Sequence, residues 1–120
     1  MFQELRYKQL ADNYKYYQEG KFDLSLKDLE ELVEINPEGS GGYFNNIALC
    51  YVAMNKFSDA EKSYFKAISR DEKNISFISG LADLYLRMGN EDKAREYYER
   101  ILMLEPENQY ALGKLDSLKK

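Results

Sequence analysis

The chain has 120 residues, 44% apolar and 32% charged, with a net charge of −4 and a pI near 5.0. That is enough for one domain, and the balance excludes a disordered chain. No apolar run approaches the ~20 residues that span a bilayer, and the basic footprint of a nucleic-acid or anionic-membrane binder is missing, so neither partner is expected.

The first segment, "MFQELRYKQL", carries charges where a signal peptide needs an apolar core, so a cytoplasmic location is expected. Tyr7, Leu10, Ala11 and Tyr14 then step by three, one and three residues, which places them on one face of a helix. Gly20 interrupts it. A second helical pattern follows in "GKFDLSLKDLEELVEINP", with Ser25, Leu29 and Leu32 on its face and Pro37 at its end. After the glycine-rich join "EGSGG" the scheme repeats as Phe44, Ile47, Ala48 and Tyr51, then Asn55, then Ala60, Tyr64 and Ala67. It repeats again as Ile78, Leu81, Ala82 and Tyr85, then Gly89, then Ala94, Tyr98 and Ile101, ending at Pro106. Ser25, Ala60 and Ala94 lie 35 and 34 residues apart. Beyond Asn108, Ala111, Leu112, Leu115 and Leu118 form one apolar face on a last helix with no partner after it, the pattern of a cap.

The recurring columns have physical reasons. Small residues on both helices of a unit let two backbones approach where bulkier side chains would force them apart. Gly20, Asn55 and Gly89 share one column, and Gly and Asn are the residues that enter the left-handed conformation at a helix end most cheaply. Asp23, Ser58 and Asp92 follow three residues later and are expected as N-caps, with Ser58 to Glu61 reading as a capping box. The first unit is irregular. Tyr14 to Ser25 spans two residues more than Tyr51 to Ala60 or Tyr85 to Ala94. An insertion, with a longer first helix or a distorted turn, is expected there. Counting strictly back from Gly20 instead puts Asp12 and Asn13 where leucine and a small residue belong.

Three such units in register resemble the tetratricopeptide repeat family, over approximately Tyr7 to Leu118. Tyr7, Phe44 and Ile78 stand where the family pattern has tryptophan. The resemblance implies an all-α fold, a right-handed superhelical stack of antiparallel helix hairpins with about seven helices. Residues 1–120 would form a single domain, with units at approximately 4–39, 41–74 and 75–108 and a capping helix at 109–118. It also implies a protein or peptide partner held in a concave groove lined by first helices. The first-helix residues that packing does not claim are then the candidate site: Lys8, Asp12 and Tyr16; Asn45, Asn46, Leu49 and Val52; and Ser79, Asp83, Leu86 and Arg87. Asparagine both donates to and accepts from a peptide main chain, and Leu49, Val52 and Leu86 supply an apolar strip.

No catalytic chemistry is legible beside this. There is no histidine, no phosphate-binding glycine pattern and one lone cysteine, so no enzyme activity, cofactor or metal is expected. Cys50, inside "IALCYVAM", reads as a small buried apolar group. The expected function is a protein-interaction adaptor. A self-assembling repeat module, associating through the tyrosine-rich first unit, is the alternative. One subgroup of the resembled family clamps acidic chaperone C-termini with lysines, asparagines and an arginine. Lys8 and Asn46 match that set, but Asp12, Ser76 and Gly80 do not. A desolvated carboxylate needs cationic or multiple donors, so a peptide ending in such a tail is expected not to bind at micromolar concentration. Micromolar affinity in a fluorescence-anisotropy titration, lost on Asn46→Ala, overturns this.

Overall fold

Three of the described residues have positive φ, and each turns one helix into the next: Gly20 at 76°, Asn55 at 61° and Gly89 at 78°. The computed structural model describes residues 12–37 and 41–119. Among these lie seven helical segments and no strand. They are α1 (helical over 12–18), α2 (Phe22–Ile35), α3 (Gly41–Ala53), α4 (Phe57–Arg70), α5 (Ile75–Arg87), α6 (Glu91–Leu104) and α7 (Gln109–Leu118). The chain divides into two compact units, Met1–Arg70 and Asp71–Lys120. In the first, α2 packs on α3 and α3 on α4; in the second, α5 packs on α6 and α6 on α7.

The three turns are alike bond for bond. The left-handed residue donates three positions back, from Gly20 to Tyr17, Asn55 to Val52 and Gly89 to Leu86. The next residue donates five back, from Lys21 to Tyr16 (2.8 Å), Lys56 to Tyr51 (2.8 Å) and Asn90 to Tyr85 (2.9 Å). This is the Schellman closure of a helix C-terminus, which satisfies carbonyls the helix leaves open.

That identity corrects the expected insertion. Tyr16, and not Tyr14, stands in the column of Tyr51 and Tyr85, and the first turn is undistorted. Tyr14 is 65% exposed. Three residues before Tyr16, Asn13 occupies the column of Ala48 and Ala82 and is only 6% exposed. Its position is tolerable because Nδ2 donates to the Ser25 carbonyl at 2.8 Å, so the buried amide is not orphaned. Asp12 falls in the column of Ile47 and Leu81 and is half-buried. Tyr7, Lys8, Leu10 and Ala11 lie outside the described residues, as do Glu38 to Ser40 of the glycine-rich join; Gly41 and Gly42 open α3.

The caps are also displaced from expectation. After the left-handed residue a single linking residue suffices before the next helix begins. Asp23, Ser58 and Asp92 are therefore the second residues of α2, α4 and α6, inside the helix. Asp23 and Asp92 still favour those N-termini by their charge. Side-chain caps are supplied by asparagines immediately before a helix: Asn74 accepts from Phe77 N–H, Asn90 from Lys93 N–H and Asn108 from Ala111 N–H. Lys21 precedes α2 without a side-chain cap bond. A cap contributes about 1 kcal/mol, whereas full burial of one leucine contributes ~1.5–3 kcal/mol. The fully buried Leu29 and Leu32, in a cluster with Leu26, Ile47 and Cys50, thus hold α2 without it.

In the second unit the core is Ile78, Leu81, Ala82, Leu84 and Tyr85 from α5 with Ala94, Tyr98 and Ile101 from α6. The cap α7 fully buries only Ala111. A polar tie supplements that small contact. Asp83 on α5 accepts from the Tyr98 hydroxyl of α6 through one carboxylate oxygen, and from the Tyr110 hydroxyl of α7 through the other at 2.7 Å. The two tyrosine rings also meet edge to face, with centroids 6.4 Å apart. Burial, then the bond to the Asp83 carboxylate and its charge, push Tyr110 up to about 12 and Tyr98 higher still.

Two expectations follow from these contacts. Asn55→Val is expected to cost about 1–2 kcal/mol in urea unfolding, and Asn55→Gly to cost nothing, because only the branched side chain opposes the left-handed conformation. Asp83→Leu leaves the buried Tyr98 hydroxyl unpaired and is expected to cost about 1–3 kcal/mol; Tyr110→Phe, at a ring 48% exposed, is expected to cost less than about 1 kcal/mol. The tyrosine shifts also fix the sign of the pH dependence. A group held above its ordinary value of 10 contributes its full stability below pH 10 and loses it as pH rises toward 12. Denaturant melts from pH 9 to 12 should show that decline, reduced in Tyr110→Phe.

Candidate functional site

Two helices of the first unit enclose a cavity of about 280 Å³. Asn13, Tyr14 and Tyr17 line it from α1, and Asn46, Leu49 and Cys50 from α3. Period-3.6 spacing explains the set, since 13, 14 and 17 share one stripe of α1 and 46, 49 and 50 one stripe of α3.

The buried end of this cavity is fixed by hydrogen bonds to one neighbour. Asn13 reaches the Ser25 carbonyl, and the Cys50 thiol donates to the Ser25 hydroxyl at 3.4 Å. Burial pushes the Cys50 thiol up from its ordinary range, so it is a neutral apolar wall and not a nucleophile. The Tyr17 ring is held edge-on against Phe22 at 5.4 Å between centroids. At the open end, Tyr14, Asn46 and Leu49 are exposed. Tyr14 Oη accepts from Gln18 Nε2 at 3.0 Å. Among the described residues, no lining side chain carries a formal charge.

Of the expected site residues, the structure brings Asn46 and Leu49 together in this cavity. Asp12, Tyr16, Asn45 and Val52 are half-buried in the same unit and do not line it. Lys8 lies outside the described residues. In the second unit Ser79 and Leu86 are half-buried and Arg87 is exposed at the end of α5. Asp83 is engaged by Tyr98 and Tyr110, so its carboxylate serves the α5–α6–α7 tie. Sequence reasoning missed Asn13, Tyr14, Tyr17 and Cys50 as cavity residues. The signal that finds the first three is the Gly20 column, counted back strictly. Among the described residues no group of three or more His, Cys, Asp or Glu side chains is placed to hold a metal ion, and no helix is long and apolar enough to cross a membrane.

Comparison with known proteins places this arrangement. A tetratricopeptide repeat family model matches residues 51–115. Heat shock protein STI1 of Saccharomyces cerevisiae is 34% identical over 65 residues, 54% of this chain and 11% of that protein. Peptidyl-prolyl cis-trans isomerase FKBP4 of Mus musculus is 27% identical over 114 residues, 83% of this chain and 25% of that protein. The chain thus spans a quarter or less of these relatives' lengths. Among solved structures, the first TPR of Spaghetti (RPAP3), bound to the HSP90 peptide SRMEEVD, superposes with a TM-score of 0.82 at 23% identity, covering 95% of this chain and 92% of that one. The Yersinia enterocolitica type III secretion chaperone SycD, in complex with a peptide of the translocator YopD, gives 0.85 at 19% identity, covering 97% and 93%. With its three matching turns, its columns of small and aromatic residues and a family match over more than half its length, the chain belongs to the tetratricopeptide repeat family.

Proposed function

We propose that this chain is a non-enzymatic adaptor that holds an extended partner peptide against first-helix residues. The observation that carries this reading is the cavity of about 280 Å³ opening between α1 and α3, with the exposed Asn46 and Leu49 at its mouth. Exposed apolar side chains gathered around a concave, internally braced site are the usual mark of a binding surface. The peptide complexes of Spaghetti and SycD support the same class of ligand. We take residues 1–120 to work as a single domain, in the soluble interior of the cell.

The acidic-tail clamp finds no support in the lining. The register fixed by Gly20 sets the Tyr14 ring, and no amide, where the clamp has its first asparagine, and among the described residues no cation lines the cavity. Partner capture therefore rests on shape, apolar contact and carboxamide hydrogen bonds.

The double substitution Asn46→Ala, Leu49→Ala is expected to weaken capture of display-selected peptides at least tenfold. Surface changes of this kind stay within about 0.5 kcal/mol of stability, or about 2–4 °C in Tm. A collapse of Tm in a thermal melt instead assigns both residues to the core and removes the basis of the proposal.

A further inference from the structure

We propose that α7 is a strap that opens in one piece ahead of the helices beneath it, and that the bond from the Tyr110 hydroxyl to Asp83 is its latch. Opening turns one carboxylate oxygen of Asp83 from an internal partner into an acceptor open to water. The strap and its latch belong to the second unit and do not depend on what the first unit holds.

The hold on α7 is light. Of its 10 residues only Ala111 is fully out of water, and Leu115 and Leu118 are half-buried. Beneath it, α5 buries Phe77, Ile78, Leu81, Ala82, Leu84 and Tyr85. Few buried apolar groups place an element at the low end of local stability. The strap has little helical stability of its own, since isolated helices shorter than about 12–15 residues are marginal in water. Gly113 sits in its middle, where glycine weakens a helix. A Cβ at Gly113 would meet nothing within 4 Å among the described residues, so no close contact demands the glycine.

Against this light hold stands one specific contact at the joint end. Tyr110 is the second residue of α7, and its hydroxyl donates to Asp83 Oδ2 at 2.7 Å. Two neighbours aim the ring: Lys114 Nζ lies 5.3 Å from its centre, and Tyr98 meets it edge-on from α6. Asn108 braces the same end, accepting from Ala111 N–H and donating through Nδ2 to Glu105 across the joint, both at 2.9 Å. At the far end the described bonds, Ser117 Oγ to the Lys114 carbonyl and Lys119 N–H to the Asp116 carbonyl, run along the strap and tie it to nothing beneath.

The two phenols on Asp83 are not equivalent. Tyr98 is fully buried and its bond joins α5 to α6, so it survives when α7 lifts. Tyr110 is 48% exposed, and water can replace its bond. Opening therefore leaves Asp83 with one partner and orphans no buried group.

The test uses native-state amide hydrogen exchange, read by NMR on the full chain. The α7 amides are expected to share one opening equilibrium, about tenfold or more above that of the slowest α5 and α6 amides. Tyr110→Phe is expected to speed α7 exchange about two- to fivefold, and Gly113→Ala to slow it about two- to fivefold. Ile78→Val weakens α5 packing equally with the strap open or closed. It is expected to speed the slow α5 and α6 amides about two- to tenfold and to leave α7 unchanged. Circular dichroism checks that each variant is folded. Exchange in α7 as slow as in α5 and α6, or a parallel response of all three helices to Ile78→Val, makes the second unit one cooperative block and overturns the proposal. So does protection that falls residue by residue from Leu118 inward and ignores Tyr110→Phe, because that is fraying without a latch.

Discussion

Close approach of two helices is the constraint on which this molecule depends. Where α3 packs on α4 and α5 on α6, the positions that set the spacing are Ala48, Ala60, Ala82 and Ala94, all fully buried. With nothing beyond a methyl group there, the large residues on either side, Tyr64 in the first unit and Tyr85 and Tyr98 in the second, are drawn out of water. The tyrosines and leucines supply the apolar burial, but the alanines decide whether that burial is reachable. In the first hairpin the same place is held by Ser25 and Asn13, and a hydrogen bond replaces methyl contact. That substitution makes the first hairpin the polar member of the set, and its cavity lies beside this bond.

The left-handed turns are the second requirement, because two helices approach closely only if the chain reverses in very few residues. Gly20, Asn55 and Gly89 achieve the reversal with one linking residue each. This economy has a cost in capping. The residue after the turn is the last chance to cap the next helix, and only Asn90 among the three linking residues uses it with a side-chain bond that the structure describes. Burial along α2 outweighs the missing cap, which is why a lysine is tolerated at its head.

Much of this was legible from residue types. The Gly–Asn–Gly column announced the turns because few residues enter that region of backbone space cheaply, and the alanine columns announced the hairpins because period and size both repeat. The register of the first hairpin was not legible in the same way. "NYKYYQ" offers three tyrosines within four positions, and Asn13 in a small apolar column looks like an error until the Ser25 carbonyl is seen beside it. Half the cavity lining was hidden by that ambiguity. The Asp83 tie was hidden for another reason. Its partners lie 15 and 27 residues away, and a long-range bond between a carboxylate and two phenols has no local signature. At the cavity mouth, exposed residues answer to no packing pattern at all, so Asn46 and Leu49 were found only by subtracting the residues that packing explains.

One further consequence attaches to Cys50. The only thiol of the chain is sealed at the inner end of the cavity, bonded to Ser25 and held protonated by burial. A disulfide reagent reaches it by way of that cavity, and thiolate chemistry is slow while burial holds the thiol protonated. The chain therefore carries its own gauge of that cavity: the labelling half-life of a single sulfur atom reports how accessible its inner end is, without any added probe.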